Sequence, residues 1–86
     1  MKKISPKTYG LNSRVSLFRT NRRGIQVLIN RKSRIIMKDG YKILKYIEKI
    51  NKIEKEVKIT IKIDAPLCSK TKQFLENNGV TLDLKH

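Results

Sequence analysis

Residues 57 to 64 read Val-Lys-Ile-Thr-Ile-Lys-Ile-Asp, a strict alternation of branched apolar and polar side chains. A strand turns successive side chains to opposite faces, so Val57, Ile59, Ile61 and Ile63 fall on one side and Lys58, Thr60 and Lys62 on the other. A strand buried on both faces would carry apolar residues at both parities. This one therefore belongs to a sheet that is covered on one side and open on the other. Whatever helices the chain forms must share the covered face.

Two helical patterns are present. Tyr41 to Ile53 sets Ile43, Leu44, Ile47, Ile50 and Ile53 on one stripe and turns Lys42, Lys45, Lys49 and Lys52 outward, with Asp39 placed to cap the first turn. Pro66 to Asn78 predicts a second helix with Leu67, Thr71, Phe74 and Leu75 inward. Gly79 stands at its left-handed C′ position, and Val80 to Leu84 follows as a strand. Upstream, Arg14 to Arg19 and Gly24 to Asn30 flank a loop centred on Arg22-Arg23 and predict a β-hairpin. A turn at Asn30 to Ser33 leads to a short predicted strand, Arg34 to Met37. Residues 1 to 13 carry Pro6, Gly10 and Asn12 without periodicity and predict a basic flexible arm before a single α+β domain over residues 14–86. The expected architecture is a small open-faced α+β sandwich. An N-terminal hairpin is followed by a β-α-β-α-β-like order, with two helices on one face of a four- to five-stranded sheet.

The net charge is +14 in 86 residues, and its distribution is more informative than its size. A lysine-rich, isoleucine-rich composition is what an AT-rich gene encodes whatever the protein does. Residues 1–37, however, carry ten cations and no acid: Lys2, Lys3, Lys7, Arg14, Arg19, Arg22, Arg23, Arg31, Lys32 and Arg34. All six arginines lie between positions 14 and 34. Codon drift would scatter lysine and would not confine arginine, whose planar fork suits bidentate contact with phosphate. These ten residues are the candidate nucleic-acid contacts. On the open face, Lys58 and Lys62 would stand beside Arg14, Ser16 and Phe18 if the hairpin joins the same sheet, a chemistry akin to base-stacking surfaces. Phe18 and Tyr9 are candidate stacking rings. Packing in the core is the competing reading for Phe18, and packing at the helix boundary is the reading for Tyr41 and Tyr46.

Cys68 is the single cysteine, which rules out an intrachain disulfide. The stretch Ile59 to Val80 resembles the strand, Pro-x-Cys turn and helix of the glutaredoxin family, through Pro66-Leu67-Cys68, Phe74-Leu75 and Gly79-Val80. That resemblance implies a thiol at a helix N-terminus with a lowered pKa. It covers about a quarter of the chain, and Thr71 occupies the position of the second cysteine. A half-buried structural cysteine is the alternative.

No phosphate-binding glycine loop, paired carboxylates or metal-ligand cluster occurs, and the one histidine is terminal, so neither a cofactor nor acid–base catalysis is expected. No apolar run reaches the length of a membrane span or a secretory leader, which gives the expectation of a cytoplasmic or organelle-matrix protein. The leading functional expectation is a basic module that binds structured RNA, ribosomal or other, with DNA as a further polyanion. The alternatives are a thiol-dependent redox or regulatory protein using Cys68, and a small adaptor docking on an acidic protein partner.

Overall fold

The computed structural model describes residues 2–13 and 15–84. Five strands form one mixed sheet in the order β1-β2-β3-β4-β5: Lys2–Ile4, Ser16–Asn21, Gly24–Asn30, Lys58–Asp64 and Thr81–Leu84. The first three run antiparallel as a meander, and β3, β4 and β5 are parallel. Helix α1 (Met37–Ile53) connects β3 to β4, and helix α2 (Ser69–Asn77) connects β4 to β5. Both crossovers step across the sheet in the same direction. With the right-handedness that twisted strands impose, both helices then lie on one face. The α+β open-faced sandwich expected from the alternation in β4 is the architecture observed.

The core lies between that face and the helices. Leu17, Ile25, Val27, Ile61 and Ile63 from the sheet meet Ile43 and Ile50 of α1 and Leu75 of α2, all essentially without exposed surface. Each such side chain contributes roughly 1.5–3 kcal/mol of transfer free energy. Gly40 lets the helices approach closely, since a Cβ there would lie 3.2 Å from Thr71 Cγ2 and 3.3 Å from Phe74 Cδ2. Gly79 takes φ +75° after α2, the left-handed stop that its position predicts.

Four local expectations are corrected. Residues 34–37 do not form a strand. Ile35 makes one isolated bridge to Leu67 and is fully buried, and α1 already begins at Met37. Asp39 is accordingly the third helical residue and not the cap itself. Its carboxylate accepts the Ile36 N–H at 2.9 Å, which satisfies one of the donors left over at a helix start. Ile53, placed on the apolar stripe, is exposed at the last turn.

The fourth correction concerns the N-terminal segment. Lys2–Ile4 pairs with β2, with Ile4 opposite Leu17, and Pro6–Tyr9 forms a 3-10 turn closed by Gly10 at φ +71°. Tyr9 and Leu11 are core residues, 4% and 6% exposed. Lys49 of α1 donates to the Gly10 carbonyl at 3.2 Å, and the Tyr9 hydroxyl donates to Glu54, just beyond α1. The partners lie about forty residues away in sequence, so no local periodicity announces them.

Candidate nucleic-acid interface

The register across the sheet defines the surface that the helices leave open. Lys3, Phe18, Gln26, Thr60 and Thr81 stand in one row across all five strands. Four interstrand gaps make that row about 19 Å long. Beside it run Ser16, Leu28, Lys62 and Asp83 on one flank, and Gly24 with Lys58 on the other. Phe18 and Leu28 are diagonal neighbours, each half-buried, and Gln26 is nearly enclosed by the side chains around it. Two apolar surfaces and an amide therefore sit among lysines on an uncovered face.

That face is electrically lopsided. Asp83 lies directly across from Lys62, and Asp64 has the same parity at the end of β4. The cationic half is the one near the hairpin tip, with Lys3 and Lys58 on the face and Arg22 and Arg23 at the turn, all exposed.

The turn itself is a two-residue loop between paired Asn21 and Gly24. Neither arginine takes a positive φ, so this is not the turn type whose twist matches a hairpin without help. A register shift between Arg19 and Asn21 absorbs the mismatch, and the Asn21 carboxamide oxygen accepts the Arg23 N–H at 3.0 Å. The Lys58 N–H also donates to the Arg23 carbonyl, which ties the tip to β4. Below the tip, Arg22, Arg23 and Lys55 border a shallow cavity of about 470 Å³ that Glu54 and Glu56 also line.

The ten basic residues nominated from the sequence do not form one patch. Lys2 and Lys3 lie at the tip end, and Lys7 is exposed on the 3-10 turn. Arg31, Lys32 and Arg34 follow the far end of β3, about 20 Å from the tip for a seven-residue strand. Two of the arginines are tied up in structure. Arg19 has the parity of the helix face and donates to both Glu54 carboxylate oxygens, at 3.0 and 2.8 Å, and to the Tyr9 hydroxyl at 3.4 Å. Arg31 is paired with Asp39 and also donates to the Arg34 carbonyl at 2.9 Å. Arg14 lies outside the described residues, as does His86. The Tyr9 ring is buried and offers no stacking surface, whereas Phe18 is turned to the open face. Leu28 and Gln26 complete the open face without having been singled out, and Lys55 lies apart from it, beside the cavity below the tip. The even-numbered parity of Gly24 to Asn30 was the signal for the first two.

These ion pairs carry a pH dependence. The Tyr9 hydroxyl and then the Arg19 guanidinium hold the Glu54 carboxyl below its ordinary value, and Arg31 does the same for Asp39. Groups lowered by folding stabilise the protein above their unfolded pKa, and that contribution disappears as pH falls through the folded value. Melting temperature is expected to fall as pH drops from about 5 toward 3, with Glu54→Gln flattening that limb. An identical acid limb in Glu54→Gln would show that the cluster contributes no pH-dependent stability.

Among the described residues no group of acidic, histidine or cysteine side chains is placed to hold a metal, and no helix is long and apolar enough to cross a membrane. Comparison with protein-family models, with curated proteins and with solved structures gives no match for this chain.

Proposed function

We propose that this chain is an RNA-binding module that reads unpaired bases on the open sheet face and grips the adjoining backbone with the hairpin tip. The observation that carries the reading is the apolar pair Phe18 and Leu28, set around Gln26 and flanked by Lys3 and Lys58, on a face that neither helix covers. Every base has a flat apolar surface that can stack on an aromatic ring, and the amide of Gln26 can pair with base edges. A-form duplexes hide their bases in a deep groove, so within a structured RNA, ribosomal or otherwise, the expected target is a loop, bulge or end. Arg22 and Arg23 supply phosphate contact at the edge of that face. An acidic protein would engage the cations without requiring a ring on the open face.

Anisotropy titrations with a single-stranded RNA, a duplex of the same sequence and an acidic polypeptide test the reading. The expected order is single strand first, with affinity falling steeply in salt. Arg22→Ala with Arg23→Ala should lower the slope of log affinity against log salt by about two if both touch phosphate. An unchanged slope removes the tip from the interface. Equal affinity for the acidic polypeptide would replace RNA by a protein partner.

A further inference from the structure

Gln26 stands at the middle of the open face, on the central strand β3, directly across from Phe18 of β2 and Thr60 of β4. No helix lies over it, yet it is only 9% exposed, because the neighbouring side chains close around it. A polar side chain on an open sheet face is ordinary, and by itself it assigns nothing.

A second observation comes from its hydrogen bonding. The Gln26 carboxamide makes no hydrogen bond within the protein. Its oxygen and nitrogen are not sealed off either, since among the described residues the Thr71 hydroxyl is the one unpartnered side-chain atom without exposed surface. The enclosed stem therefore ends in an amide that opens onto the face. Enclosing most of a carboxamide without a partner is costly, and leucine, of similar size, would fill the position without that cost. The side chains that enclose it also limit its rotamers, so the amide is ordered before any ligand arrives. A group held in this way fits a partner that comes from outside the chain.

We infer that Gln26 is the specificity-determining residue of the sheet face and that the base it selects is adenine. This rests on the RNA reading above, whose stacking ring sets the geometry. A base stacked on Phe18 has one edge within reach of the position opposite on β3, about 5 Å away between Cβ atoms, and Gln26 occupies that position. The carboxamide presents an N–H donor beside an oxygen acceptor in one plane, so it pairs with an edge that sets an acceptor beside a donor. Adenine does so on both of its outer edges, pairing its amino group with N7 on one and with N1 on the other. Guanine places two acceptors, N7 and O6, on the first of these edges, which sets O6 against the amide oxygen. Cytosine and uracil carry hydrogen-bonding groups on one side only and lay a smaller ring on Phe18. Over an amide that is already fixed, adenine is accepted in either orientation and the other bases are not.

The test titrates the full chain by anisotropy with heptauridylate and with the same heptamer carrying one central adenosine, guanosine or cytidine. Central adenosine is expected to tighten binding about fivefold or more over uridine, the lower end of what one bidentate pair discriminates, and to exceed guanosine and cytidine. Central purine riboside, which stacks like adenosine but lacks the amino group, should lose most of that gain. Gln26→Leu should melt no lower than the parent and lose the gain, and Gln26→Glu, which keeps the shape without the donor, should lose it too. Equal affinity for all the heptamers overturns the adenine assignment while leaving the RNA reading in place. A gain that survives in either variant, or with purine riboside, overturns Gln26 as the reader. Binding of no heptamer overturns both readings.

Discussion

Tyr9→Ala should lower the unfolding free energy by about 3–5 kcal/mol, the range for deleting a large aromatic side chain from a packed core. For a chain of this size that corresponds to a fall in melting temperature of more than about 10 °C. Tyr9 is 4% exposed, and its hydroxyl binds the carboxylate that also holds Arg19. One side chain thus fastens the N-terminal segment to β2 and to the end of α1. Tyr9→Phe separates the two contributions. It keeps the ring and removes one hydrogen bond to a charged acceptor, for an expected cost of about 1.5–3 kcal/mol. Urea unfolding of both variants measures the difference. A Tyr9→Ala protein that unfolds at the parental midpoint would return residues 2–11 to the status of an appended arm.

Phe18→Ala should have its largest effect on binding. Removing a stacking ring costs roughly 1–3 kcal/mol per base, or about 5- to 150-fold in affinity for single-stranded RNA. Phe18 points away from the core, so the fold should lose little by comparison. The salt slope should stay where it was, because no cation is removed. This pattern is the reverse of the one expected for Arg22→Ala with Arg23→Ala, which changes the slope. The pair of experiments separates stacking from charge. Undiminished affinity in Phe18→Ala would leave a generic polyanion-binding surface and no base recognition.

The elements that were legible in the sequence are those whose pattern is local. The alternation of residues 57–63 gives both the strand and the one-sided sheet, the stripe from Ile43 to Ile50 gives α1, and Gly79 marks where α2 stops. Residues whose partners are remote were misread. Nothing near Tyr9 reveals that Glu54 will receive its hydroxyl, and nothing near Ile35 reveals that Leu67 and Pro66 will pair with its backbone. The basic cluster, contiguous in sequence, is divided in space for a geometric reason. Residues close in sequence on either side of a seven-residue strand end at opposite ends of it. Phe18 could be assigned to either face until its register with Gln26 was known. Arg19, one position further along, takes the opposite parity and an internal partner.

The order of the strands also bears on how such an isoleucine-rich chain avoids sticking to itself. Its two segments most prone to cross-β stacking, Gly24 to Asn30 and Lys58 to Asp64, are each flanked on both sides by other strands. The outer strands are three and four residues long and carry Lys2, Lys3 and Asp83, which makes them poor templates for another chain. Fraying at the β1 border uncovers β2, whose sequence Ser-Leu-Phe-Arg-Thr-Asn contains an arginine gatekeeper and stays short. Loosening the Tyr9 anchor would therefore expose the less hazardous of the inner strands first, and aggregation of weakened variants should lag behind their loss of stability.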